Sequence, residues 1–350
     1  MCSVPTTAPS PPRDIGLLPL FSSHVSYMHI PKVAGSSIIM EVKSSGAIPH
    51  FYPDSPAGQE HCLQWDREQR PGWDSFTFLR SPRAHVWSQY TECRYDEWGR
   101  RTTEGTGFPR SGTTLQGFTI WVQHFAASPR TRENFGCYQP QNMQARHIVG
   151  SAPDNRCHNV LEHDPSLDQA MLYVQTQLKF VGSVDFYHES NCLMYSLISG
   201  ARAKRRFREL SCACSADGRT ALNEPVGLIH RTHHSQGHRD NYDFEPSLLA
   251  KVDALTVIDR QVYAFGLQKF MCQMRALEAY LGYRVLCDNT LASKQASLMY
   301  VANVSALYYQ SSCDIFHCES WCASHQESWS VKCAWAAGTC SGCLVCSSMR

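Results

Sequence analysis

Apolar and polar positions along the chain switch repeatedly between a strand period and a helix period. Val25-Ser-Tyr-Met-His-Ile30 is a short apolar, β-branched run closed by Pro31. The stretch 36–45 that follows carries Ile38, Ile39 and Val42 before Gly46, a typical C-cap residue. This pattern predicts strand, loop, helix. Ser75-Phe-Thr-Phe-Leu79 predicts a second strand, and Pro82 then takes the favoured first position of a helix with Val86, Tyr90 and Cys93 at i, i+4 and i+7. A third copy is predicted at Leu178–Val184, running into a helix from about His188 to Ile198. Strands alternating with helices imply an α/β fold of three layers, a central parallel sheet flanked by helices, with ligands at the carboxyl ends of the strands.

Between these units, Leu115–Phe125 reads as a helix with Phe118, Val122 and Phe125 on one face, and the Gly/Thr-rich 100–110 as a surface loop. Residues 247–283 show the strongest helical spacing, too long for one helix, and Thr256-Val-Ile-Asp259 resembles a capping box that starts a second one inside it. The first 20 residues hold five prolines and predict a disordered lead-in. The expected organisation is a lead-in over 1–20, an α/β domain over 21–290 and a cysteine-rich tail over 291–350.

Composition narrows the function. With 32 Lys+Arg against 31 Asp+Glu in 350 residues the formal charge is +1. No global field attracts nucleic acid, and any anion must be captured locally. No apolar run reaches membrane-spanning length, and the first residues lack the layout of a signal peptide. Cysteine is the outlier, with 17 in all: Cys2, nine within 21–290 and seven from Cys313 to Cys346. That density implies disulfides or metal. The tail spacings, interleaved with Trp321, Trp329 and Trp335, favour a small disulfide module over a zinc site, its tryptophans serving as a miniature core or as stacking surfaces for sugars. Cys212 and Cys214 are too close to pair with each other and are expected to pair elsewhere. Asn303-Val-Ser305 is an N-glycosylation sequon.

The chemistry concentrates in two loops. His29-Ile-Pro-Lys-Val-Ala-Gly-Ser-Ser37 joins the first strand to the first helix, so the N–H groups around Gly35, Ser36 and Ser37 sit at a helix N-terminus, with Lys32 reaching over them. The lysine precedes the glycine by three residues, unlike a Walker A loop, which favours a metal-free anion site over a kinase or nucleoside triphosphatase. The second loop, Leu79-Arg-Ser-Pro-Arg-Ala-His-Val-Trp-Ser88, puts Arg80 at a strand end and Ser88 two turns into the next helix.

Together, K-x-x-G-S-S and R-x-P with a serine eight residues beyond the arginine resemble the phosphate-binding elements of PAPS-dependent sulfotransferases. PAPS, 3′-phosphoadenosine 5′-phosphosulfate, is their sulfuryl donor. The His-Ile-Pro-Lys-x-Ala-Gly-x-Ser form is most similar to the carbohydrate sulfotransferases, such as the heparan sulfate 2-O-sulfotransferase group. Cys137–Arg146, Phe180–Phe186 and Leu255–Ala264 are similar in layout and order, with Asp185 where relatives often carry glutamate. The resemblance spans roughly 21–290 and implies a P-loop-like fold and a place in the Golgi lumen or secretory pathway, where relatives are usually held by an N-terminal membrane anchor that is not visible in this sequence. It implies that Lys32, Gly35, Ser36 and Ser37 hold the 5′-phosphosulfate and that Arg80 and Ser88 hold the 3′-phosphate, with no metal.

The acceptor hydroxyl then needs a general base. His50 and His61 lie between the two loops, where the family often supplies it, and Glu60 adjoins His61. His85 is read as structural. Four histidines crowd 230–238; His234 and His238 share a helical spacing that suits zinc, but the family places a nucleotide-closing loop there, so Arg231, His234 and Ser235 are taken as donor contacts. The expected activity is sulfuryl transfer to a glycan hydroxyl in the secretory pathway, the alternative being a glycan-binding protein that keeps the fold and has lost catalysis.

Overall fold

The computed structural model describes residues 21–45, 48–52, 60–128, 133–150, 157, 164–199, 212–214, 244–310 and 313. At its centre is a parallel sheet of four short strands, β1 (His24–Tyr27), β2 (His50–Tyr52), β3 (Asp74–Leu79) and β4 (Leu178–Ser183), in the order β2-β1-β3-β4. The register pairs Val25 with Phe51, Tyr27 with Phe76 and Leu79 with Ser183. β1, β3 and β4 are buried almost throughout, which is why they read as apolar runs and not as alternations.

From β1 the chain moves outward to β2 through α1 (Gly35–Ser45), then returns past β1 to β3 through α2 (Leu63–Gln69). It leaves β3 in the other direction, through α3 (Pro82–Tyr95), α4 (Glu97–Thr102), α5 (Thr114–Ala127), α6 (Met143–Val149) and α7 (Leu167–Thr176), to reach β4. The strand order therefore reverses between β1 and β3. In an open parallel sheet, the crevice beyond the carboxyl ends at such a reversal is where ligands sit. A 3-10 turn (Val184–Phe186) leads from β4 into α8 (Tyr187–Ser199), and α9 (Pro246–Leu255), α10 (Val257–Leu281), α11 (Asp288–Leu298) and α12 (Val304–Gln310) complete the described helices.

The main core joins Tyr27, Phe76, Phe78 and Phe180 of the sheet to Ile38 and Ile39 of α1 and to Val262, Phe270 and Met274 of α10. Each fully buried aromatic or aliphatic side chain stabilises the fold by roughly 1.5–3 kcal/mol. Gly266 lets α10 approach the sheet, because a methyl group there would press on Leu79 and Val181. A second cluster packs Trp87 and Tyr90 of α3 against Phe118, Trp121 and Phe125 of α5 and Leu248 and Val252 of α9.

The three expected strand–loop–helix units are present. β1 is shorter than its apolar run: Met28 N still donates to Phe76 O at 2.8 Å, and the chain then turns into a loop. The long helical pattern does break at Thr256, although its hydroxyl bonds back to Val252 O and caps nothing. The expected loop over 100–110 begins as α4 instead, because Asp96 accepts from Trp98 N and starts a helical turn.

Cys212 and Cys214 pair apart, with Cys192 and Cys287, and Cys62–Cys157 and Cys93–Cys137 are the other bridges inside 21–290. Nine cysteines there leave one over, and Cys272 takes it to Cys313. From 291 to 310 the chain forms most of α11, a turn and α12, and packs on the main core through Leu291, Leu298, Val304 and Tyr308. No described helix is long and apolar enough to cross a membrane. The lead-in, the histidine cluster 230–238 and the tail from 314 onward lie outside the described residues, as does Ala203-Lys-Arg-Arg-Phe-Arg208, a basic run that reads as a solvated face.

Candidate functional site

Residues 28–34 join β1 to α1 at the carboxyl edge of the sheet. Lys32 and Ala34 take left-handed φ values of 63° and 64°, with Val33 of negative φ between them. Such a conformation costs an L-residue roughly 1–2 kcal/mol, and the alternation of hand is the geometry of anion-binding nests. The carbonyls of this stretch are drawn toward the next unit. His85 Nε2 donates to Pro31 O at 2.7 Å and Arg80 Nη1 to Lys32 O at 3.3 Å. Burial drives the His85 imidazole down to about 3. It is therefore neutral, and Gln89 Nε2, donating to its Nδ1 at 3.2 Å, leaves the ring proton on Nε2 for Pro31. Gly35 opens α1, and a methyl group there would overlap the His29 ring. Ser36 and Ser37 follow in the first helical turn, both partly exposed.

The turn after β3 is fastened by two side chains from distant segments. The Gln144 side chain brackets the Arg80 backbone, accepting from its N and donating to its O at 2.9 Å each. Asp185 accepts from Ser81 N and Ser81 Oγ at 2.8 Å each, and from Tyr263 OH at 2.8 Å. Below them, α6 and α10 cap one another. Asp259, near the start of α10, accepts from Gln144 N at 3.1 Å and Ala145 N at 2.8 Å, while Asn142 Oδ1, just before α6, accepts from Ile258 N at 2.9 Å and Asp259 N at 3.2 Å. Burial pushes the Asp259 carboxyl up to about 6 despite those donors. Asp185 carries its carboxyl group one methylene closer to the backbone than a glutamate would, and both of its oxygens accept from Ser81.

Ser88 lies on the face of α3 between His85 and Glu92, the two residues that meet the β1–α1 loop. Its Oγ is buried and has no hydrogen-bond partner among the described residues. An orphaned buried hydroxyl costs about 1–3 kcal/mol, and a phosphate oxygen is a partner of the right chemistry.

A third group of residues faces Lys32. Its Nζ makes an ion pair with Glu92 Oε2 at 2.6 Å. Close by, Tyr138 OH donates to Glu60 Oε1 at 3.0 Å. Burial pushes the Glu60 carboxyl up to about 7; the Tyr138 hydrogen bond and the Lys32 charge pull it down, and Glu92 pushes it up. Glu60 is thus a carboxylate of near-neutral acidity within electrostatic reach of the loop lysine, which is what a general base for a hydroxyl requires. The sequence offers no motif for it, only its place beside His61.

The two histidine candidates are differently placed. His61 is fully buried, with Nε2 at 3.4 Å from Asp66 Oδ1, its ring against Tyr52 and its carbonyl accepting from His147 Nδ1 at 3.2 Å. Against its burial, His61 and Arg70 hold Asp66 below the usual carboxylate range. His50 stacks on His24 at 4.4 Å where β1 and β2 begin, the opposite edge of the sheet from the loops. Lys32, Gly35, Ser36, Ser37, Arg80 and Ser88 are brought together; His50 is not. Arg231, His234 and Ser235 lie outside the described residues. No group of metal-ligating side chains occurs among the described residues. No family model matches the chain, and neither a curated protein nor a solved structure matches it.

Proposed function

We propose that the chain transfers the sulfuryl group of PAPS to a hydroxyl of a carbohydrate acceptor, on a P-loop-like fold, in the lumen of the secretory pathway. The observation that carries this reading is the meeting of two cationic loops at the strand-order reversal, where the Arg80 guanidinium reaches the Lys32 carbonyl. A nucleotide with anionic groups at two ends needs two such pockets side by side. The orphaned Ser88 hydroxyl and the left-handed Lys32 and Ala34 fit the same donor. The five disulfides among the described residues suit an oxidising compartment.

In this reading the donor's anionic group displaces Glu92 from Lys32. Glu60 takes the proton of the acceptor hydroxyl, whose oxygen attacks sulfur. The bond from sulfur to the bridging oxygen breaks, and 3′-phosphoadenosine 5′-phosphate leaves. Lys32 beside that oxygen meets charge that develops only in the transition state, so its contribution goes to rate more than to binding. The test is transfer of labelled sulfate from PAPS to a panel of polysaccharides, with Lys32→Ala and Arg80→Ala as controls. Transfer that both variants abolish is expected. Binding of PAPS without transfer to any glycan supports a glycan-binding protein that has lost catalysis, and no PAPS binding overturns the reading.

A further inference from the structure

Glu60, Glu92 and Tyr138 come from three separate stretches of chain, and each lies within two residues of a half-cystine. Glu60 precedes Cys62, which is bonded to Cys157; Glu92 precedes Cys93 and Tyr138 follows Cys137, and those two cysteines are bonded to each other. The fully buried Arg146 links the bridges. It donates to Gln139 O at 2.7 Å and Gln141 O at 2.8 Å, just beyond Tyr138, and to Cys157 O at 2.9 Å. The contact between Glu60 and Tyr138 is therefore enclosed in a continuous ring of bonds. It runs from Glu60 through Cys62, Cys157, Arg146 and Gln139 to Tyr138, and back across the 3.0 Å hydrogen bond. Trp98 covers the Tyr138 ring at 5.3 Å.

We infer that Tyr138 is a positioning residue for Glu60, and that the Cys93–Cys137 bridge, by clamping Tyr138 to the helix that carries Glu92, holds the hydroxyl on the carboxylate. This rests on reading Glu60 as the base of the proposed reaction. A carboxylate that accepts a proton from a mobile acceptor must keep one oxygen fixed and offer the other. Tyr138 fixes Oε1, and a phenol with only two side-chain torsions loses little rotamer entropy in doing so. The groups that face Glu60 set its acidity in opposite senses: Tyr138 from the segment before α6 and Lys32 from the β1–α1 loop favour the charged form, and Glu92 from α3 disfavours it. Burial first, then the Glu60 and Glu92 carboxyls and to a lesser degree Asp96, oppose ionisation of Tyr138, which keeps the phenol a donor.

The test is carbon-13 NMR titration of glutamate carboxyls in the full, disulfide-bonded chain, with Glu60→Gln assigning the signal. The Glu60 midpoint is expected near 7. Tyr138→Phe removes a hydrogen bond to the charged form and raises the midpoint by about one pH unit. Glu92→Gln removes a repulsion and lowers it. Cys93→Ser combined with Cys137→Ser moves the midpoint in the direction of Tyr138→Phe. Should the double serine variant fail to fold, the other two variants keep every bridge and decide the matter. An unchanged midpoint in Tyr138→Phe, or shifts of the same sign in Tyr138→Phe and Glu92→Gln, overturns the inference. So does a Tyr138→Phe protein that melts earlier but titrates as before. Opposite shifts in a chain that transfers no sulfate uphold the positioning and remove the transferase reading, so the two fail separately.

Discussion

The loop after β1 holds two left-handed residues and turns a charged side chain toward neighbouring carboxylates, while its own carbonyls are held by His85 and Arg80. The turn after β3 has the opposite character. Its backbone is bound by Gln144 and Asp185, and these are braced by Tyr263 and by the mutual caps of α6 and α10. Both follow a strand and open a helix, so their sequences look like two copies of one device. Their surroundings divide the labour: the second is a foundation, and the first is the surface built on it. Strain in a functional loop persists only where neighbours over-determine it, and here the neighbour is the other loop.

That division makes the two loops separable by mutation. Lys32→Ala is expected to lower kcat/KM for PAPS by about a hundred- to a thousandfold, the loss typical of removing one group that meets transition-state charge. Its thermal stability should stay within about 0.5 kcal/mol of the parent, because the side chain is partly exposed and its partner Glu92 can rehydrate. Asp185→Ala should do the reverse. It leaves Ser81 N, Ser81 Oγ and Tyr263 OH without their acceptor, a loss of about 2–4 kcal/mol in denaturant unfolding. If Lys32→Ala melts as early as Asp185→Ala, the distinction between surface and foundation is gone.

The same division explains what could be read in the sequence. Val25–Ile30, Ser75–Leu79 and the i, i+4, i+7 pattern of α3 are local signals, and the loops they bracket were legible as the joins between strand and helix. The foundation was not. Gln144 lies 64 residues from the Arg80 it brackets, Asp185 lies 104 from Ser81, and the cap from Asn142 crosses 116 to Ile258. Nothing in the local pattern of Gln144 or Asn142 distinguishes a brace from a surface amide. β2 escaped notice because it is an edge strand of three residues with no buried side chain. Glu60 was visible only as a neighbour of His61; the fold sets the histidine against Asp66 and the glutamate within reach of the Lys32 charge, contacts that no local pattern announces.

A smaller effect tests how each helix is rooted. α3 rests on its N-terminal braces, whereas α1 is rooted from behind through Glu41, which accepts from Tyr187 OH at 2.9 Å. Burial pushes the Glu41 carboxyl up to about 7 from an ordinary value of 4.5, despite that hydrogen bond. Between those values the folded chain keeps a proton that the unfolded chain releases, so stability is full below about 4.5 and is lost as pH rises toward 7. Glu41→Gln keeps the acceptor for Tyr187 and cannot ionise. The variant should match the parent near pH 4.5 and become the more stable of the two above pH 7, by about 1–3 kcal/mol. Comparing the two proteins at each pH cancels the opposing titrations of His85 and Lys269, which burial shifts down in both. A pH-independent difference would mean that α1 is not rooted through a protonated Glu41.

Ser88→Ala is the finest probe, because Ser88 belongs to the foundation helix but faces the surface loop. Its Oγ has no partner to lose, so truncation should leave unfolding unchanged or slightly strengthen the fold. If the hydroxyl serves only packing, binding of 3′-phosphoadenosine 5′-phosphate will be unchanged as well. If it meets the 3′-phosphate, affinity should fall by about tenfold, the worth of one hydrogen bond to a charged group. Titration calorimetry with that nucleotide and with adenosine 5′-phosphate, which lacks the 3′ group, separates the cases. The loss is expected for the first ligand alone, and an equal loss for both would place Ser88 away from the 3′ end.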